Sequence, residues 1–78
     1  MGFEYHLRFQ PQDRIAWDAF VQQLENPMTA GWPAFSVSLT EQGVYFCDHG
    51  RTPAAALALR SILDEALLHG QSVVIEEV

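Results

Sequence analysis

Phe35-Ser-Val-Ser-Leu-Thr-Glu-Gln-Gly-Val-Tyr-Phe-Cys-Asp-His49 is the stretch that decides the fold. Phe35, Val37 and Leu39 alternate with Ser36, Ser38 and Thr40, the period of a strand with one buried face. Gln42-Gly43 then reads as a two-residue hairpin turn, with glycine accepting a positive φ. A second strand follows from Val44 to His49. That turn sets Leu39 opposite Phe46, Ser38 opposite Cys47 and Thr40 opposite Tyr45. It sends Val44 and Phe46 to the core and Tyr45, Cys47 and His49 to the other face. A three-residue turn would reverse the two faces.

On the N-terminal side, Phe3, Tyr5, Leu7 and Phe9 alternate with Glu4, His6 and Arg8, which predicts a half-buried strand. Pro11 and Asp13 open a helix whose apolar stripe is Trp17, Phe20, Val21 and Leu24. Asn26-Pro27 is expected to stop it, because the residue before a proline leaves the helical region. Pro27 to Pro33 reads as a loop. Trp32 within it is expected to fold back over the core edge, or else to cap a binding surface. On the C-terminal side, Thr52-Pro53 caps and starts a second helix. Ala55, Leu59, Ile62, Leu63, Ala66 and Leu67 are its expected core face. Arg60 and Asp64 pair one turn apart outside. His69 lies at the helix end and Gly70 is its C-terminal cap. Ser72 to Val78 is the last strand.

The order is therefore strand, helix, strand, strand, helix, strand, in one α+β domain over residues 1–78. Right-handed crossovers leave few topologies for that order. The expected one is a ferredoxin-like βαββαβ sandwich: an antiparallel four-stranded sheet in the order 4-1-3-2, with two helices on one face. The other face is left open. It would carry Glu4, His6, Arg8, Ser36, Ser38, Tyr45, Cys47, His49, Val74 and Glu76.

Composition narrows the functions. The chain holds four Arg and no Lys against 10 acidic residues, a net charge of −6. That charge repels phosphate backbones and anionic lipid, so neither nucleic acid nor membrane is an expected partner. No apolar run reaches the ~18 residues of a membrane span. The alternating start reads as a strand rather than a signal peptide, and His6 stands where a myristoylation signal wants Ser or Thr. Cys47 is the one cysteine, which excludes an intrachain disulfide and suits a reducing, cytoplasmic compartment. A chain of this size buries a thin core, so a partner subunit is expected to supplement it.

Cys47-x-His49 sets a thiol and an imidazole on one strand face, and His6 on the neighbouring strand can approach them. Three such ligands suit zinc, but structural zinc sites use paired CxxC spacing, so no metal or other cofactor is expected. A Cys–His nucleophile needs an orienting group, and Asp48 points to the opposite face. Glu76 and Glu77 alternate faces and read as edge protection rather than a catalytic pair.

Four known families resemble the chain in element order, and each lacks its motif here. RNA-recognition motifs carry stacking aromatics on the third strand. Along Gln42 to His49, Gly43 and Phe46 match that pattern while Gln42, Val44 and His49 do not. Acylphosphatases place a glycine-rich loop before the first helix, where this chain has Gln10 to Arg14 with no glycine. Metal-chaperone domains of this fold place CxxC there. Amino-acid-binding regulatory domains of the ACT type place a glycine at that turn. These resemblances stay at the level of element order.

The expected function is a small non-enzymatic interaction module that homodimerises through its open sheet face or an edge strand. His6, Arg8, Tyr45, Cys47 and His49 are the interface or ligand candidates. The alternative is an acidic partner of a basic protein, as antitoxin and immunity proteins are. Weaker readings are a small-ligand regulatory domain and a Cys/His enzyme.

Overall fold

The computed structural model describes residues 3–29, 31–68 and 72–78. Its elements are β1 (Phe3–Arg8), α1 (Arg14–Gln22), β2 (Met28–Thr29), β3 (Trp32–Pro33), β4 (Phe35–Thr40), β5 (Gly43–Asp48), α2 (Pro53–Leu68) and β6 (Val74–Glu77). The four longer strands form one antiparallel sheet in the order β4-β5-β1-β6, and β2 pairs with β3 as a separate two-stranded ribbon. The fold class is therefore α+β, with six strands among the described residues where four were expected. The extra pair lies in the segment read as a loop, where Gly31 takes a φ of 84° immediately before β3.

The hairpin between β4 and β5 turns one residue earlier than the sequence suggested. Thr40 pairs with Gly43, so the turn residues are Glu41 and Gln42, and Leu39 faces Val44, Val37 faces Phe46 and Ser38 faces Tyr45. The pairing slips by two residues, and a slip of two preserves the faces. Gly43 belongs to β5, not to the turn. Its φ is 142°, and a Cβ built there would lie 2.0 Å from the carbonyl oxygen of Leu7. Close approach of β1 is what requires glycine at this position.

One core joins the sheet to both helices. Leu7, Phe35, Val44 and Phe46 meet Trp17 and Val21 of α1 and Ala55, Ala58, Ile62 and Ala66 of α2. The rings of Phe35 and Phe46 stack with centroids 5.3 Å apart. Trp17 lies 5.0 Å from Phe9 and 5.5 Å from Phe20, centroid to centroid. Four alanines among the described buried residues let helix and sheet backbones approach closely.

Asp13 caps α1 by accepting from the Ala16 amide at 3.0 Å, and Thr52 caps α2 by accepting from Ala55 at 3.2 Å. Helix α1 ends at Gln22, ahead of the Asn26-Pro27 stop. Two further expectations fail. Leu67 is 55% exposed rather than in the core, while Ala58 is buried. Trp32 is 70% exposed and does not fold back over the core edge. Arg60 and Asp64 pair on the outside of α2 at 3.2 Å, as the spacing predicts. His69 and Gly70 lie outside the described residues. No helix of the described residues is long and apolar enough to cross a membrane.

Candidate functional site

The sheet register arranges the face opposite the core in rows. The first row is Ser36, Cys47 and Glu4; the second is Ser38, Tyr45, His6 and Glu76; the third is Thr40, Gly43, Arg8 and Val74. All five candidates therefore lie on or beside one face. His49 follows the end of β5, where its amide donates to the Ala34 carbonyl at 3.1 Å and extends the ladder by one pair.

The polar side chains bond diagonally between rows. Tyr45 donates its hydroxyl proton to Glu4. Arg8 holds Glu76 in an ion pair and also reaches the Gln42 side chain. His6 Nε2 lies 3.1 Å from Thr40 Oγ1. That last contact spans from β1 to β4 past β5, one row on from the His6–Tyr45 pair. Glu4 raises the Tyr45 phenol to about 12 from 10.0, since an accepting carboxylate favours the protonated phenol and repels the phenolate; partial desolvation and the Cys47 sulfur act in the same direction.

At the Ser36 end of the face, a hydroxyl, an imidazole and a thiol stand in line. Ser36 Oγ lies 2.6 Å from His49 Nε2, and His49 Nδ1 lies 3.9 Å from Cys47 Sγ. The sulfur contact is long, and Cys47 is 8% exposed. Asp48 is occupied elsewhere: its Oδ1 accepts from the Gly50 and Arg51 amides at 3.0 and 2.6 Å, closing the turn that leads to α2. Arg51 itself lies 3.9 Å over the Phe3 ring. The register sets Cys47 opposite Glu4 and His6 opposite Tyr45, one row apart, and the His6 imidazole bonds Thr40 in the row on the other side. Among the described residues no group of three or more His, Cys, Asp or Glu is placed to hold a metal ion.

Three partners in this network were visible in the sequence but stood outside the five candidates. Glu4, Ser36 and Glu76 belong to the expected open face, but their bonds follow from diagonals that only the register defines. Thr40 was missed, although it continues the Ser36, Ser38 alternation. Asn26 was read as a helix stop, and its side chain instead bonds the backbone of Phe35 at the edge of β4. Beside that edge lies an open groove of about 650 Å³ between α1 and β4, lined by Asp18, Val21 and Leu24 on one side and Val37 and Leu39 on the other.

Compared with protein-family models, curated proteins and solved structures, the chain matches none of them.

Proposed function

We propose that this chain is a non-enzymatic interaction module that works as a homodimer in a reducing, cytoplasmic compartment, its sheet and helices in a ferredoxin-like arrangement. The contact runs through the open sheet face or an edge strand. The observation that carries the reading is the large apolar surface left outside a thin, alanine-rich core. Trp32, Val74 and Ile75 are among the described large hydrophobics that remain exposed, at 70%, 56% and 49%. Exposed apolar area on so small a domain favours association. The engagement of candidate side chains with neighbours on the same face supports a binding surface over a catalytic one: the His49 imidazole is held by Ser36, and the Tyr45 proton is held by Glu4.

Light scattering across protein concentration tests the proposal. The expected result is a mass of twice 8.8 kDa that falls only on dilution. A mass of one chain at every concentration refutes it.

A second reading is an acidic partner of a basic protein, favoured by the net charge of −6. Arg8 and Arg60 pair with acids, Glu76 and Asp64, Arg14 bonds the Thr40 carbonyl at 2.9 Å and Arg51 lies over the Phe3 ring, against 10 acidic residues in the chain. The uncompensated charge on the surface is thus acidic, and a monomer whose binding to a basic partner weakens with salt would establish this reading.

A further inference from the structure

The two edges of the sheet differ in a way that selects one of them. In β4, residues 36, 38 and 40 turn their backbone groups toward β5, as the two-residue turn closed by Thr40 and Gly43 requires. Residues 35, 37 and 39 turn theirs outward. At Phe35 the outward groups are taken by Asn26, which donates from Nδ2 to the carbonyl at 2.8 Å and accepts from the amide at Oδ1 at 3.2 Å. The free stretch is therefore limited to Val37 and Leu39.

The sequence of this edge is self-complementary. Phe35-Ser-Val-Ser-Leu-Thr40 carries no charge, in a chain of net charge −6. An antiparallel pairing of β4 with a second β4, centred on Ser38, sets Val37 against Leu39 and Leu39 against Val37. Both residues have outward amides and carbonyls, so the pair exchanges four hydrogen bonds. Ser36 meets Thr40 and Ser38 meets Ser38 on the open face, a ladder of hydroxyls. On the other face Val37 lies beside Leu39, and both are half-buried at the groove toward α1. The equivalent pairing of the opposite edge, β6, would set Ile75 against Glu77 and Glu76 directly against Glu76, where like charges repel.

We propose that the partner at β4 is a second copy of this chain, joined about a two-fold axis at Ser38 into a continuous eight-stranded sheet. This rests on the homodimer reading above and names its surface and register. Asn26 sets the ends of the paired stretch by occupying Phe35.

Disulfide trapping tests it in the full chain with Cys47→Ala as background. Paired residues at the axis lie within disulfide range, since a non-hydrogen-bonded antiparallel pair has Cα atoms ~4.5 Å apart. Ser38→Cys chains are expected to crosslink to themselves under mild oxidation. Thr40→Cys chains, which the register sets against Ser36, are not. Val37→Pro removes an amide that points outward and leaves the internal ladder intact. It is expected to raise the dimer dissociation constant about tenfold or more while the circular dichroism stays unchanged. A dimer whose Ser38→Cys chains fail to crosslink overturns the β4 assignment and leaves the homodimer reading standing, whatever Val37→Pro does to folding. A monomer at all concentrations overturns both.

Discussion

Asn26 grips both backbone polar groups of Phe35, donating to its carbonyl at 2.8 Å and accepting from its amide at 3.2 Å. A side chain from the segment after α1 thus completes the hydrogen bonding of an edge strand nine residues on. It also anchors the strand whose Phe35 ring stacks on Phe46 in the core.

Asn26→Ala should cost about 1–2 kcal/mol, since Phe35 loses two partners in a half-buried setting. Asn26→Asp should cost at least as much, because it keeps the acceptor for the amide but sets a carboxylate oxygen against the Phe35 carbonyl, where Asn26 places a donor. Urea unfolding of the three proteins measures the order. Equal stability of Asn26→Ala and the parent would show that water replaces the clamp without cost.

Gly43→Ala should destabilise more, by about 3 kcal/mol or above. The added Cβ would sit 2.0 Å from the Leu7 carbonyl oxygen, and the φ of 142° is itself unfavourable for alanine. Strands β1 and β5 would have to separate at the Arg8–Gly43 pair. Thermal unfolding reads the effect, and a change below about 1 kcal/mol would mean that the strands shift freely.

The Tyr45 phenol should titrate near 12 rather than 10.0. A Tyr5→Phe background isolates it for ultraviolet absorbance titration. Glu4→Gln should bring the transition down toward 10, because the accepting carboxylate is its largest cause. The folded-state value is raised, so the associated stability is fully present below pH 10 and is lost as the pH climbs through 12. A Tyr45 transition at 10.0 in the parent would remove the Glu4 contact from the solution structure.

Ile62→Ala should cost about 2–5 kcal/mol, as a fully buried side chain at the helix–sheet contact. Leu67→Ala, five residues further along α2, should stay within about 0.5 kcal/mol because that leucine is 55% exposed. Similar losses for both would place Leu67 in the core, where helical spacing alone put it.

Cys47 should react with a thiol reagent about tenfold or more slowly in the native protein than in urea, since its sulfur is nearly covered and lies beside His49. Native and unfolded rates that agree would show that the end of β5 opens readily.

Much of the architecture was legible because it depends on short periods. Alternation over Phe3 to Phe9 and over Phe35 to Thr40 marked two faces in each strand; the faces of β5 hung on a two-residue turn, which the structure has, and they survive any even slip of register. Helix α2 was legible from Thr52-Pro53 and its apolar spacing. The exposure of Leu67 was not, because a periodic stripe gives the direction of a side chain and not how far the sheet beneath it extends.

Sequence periodicity sufficed for the two helices and the four strands of the main sheet, though the β2–β3 ribbon was not legible in it, and, given a two-residue turn, for placing His6, Arg8, Tyr45, Cys47 and His49 on or beside one face. Tertiary structure alone decided which of these touch. Contacts between rows depend on the register, and the register rests on distant groups: the Leu7 carbonyl that admits only glycine at position 43, and the Asn26 amide that holds Phe35. A period of two specifies a residue's face, while its partner is set by backbone hydrogen bonds to strands far away in the chain.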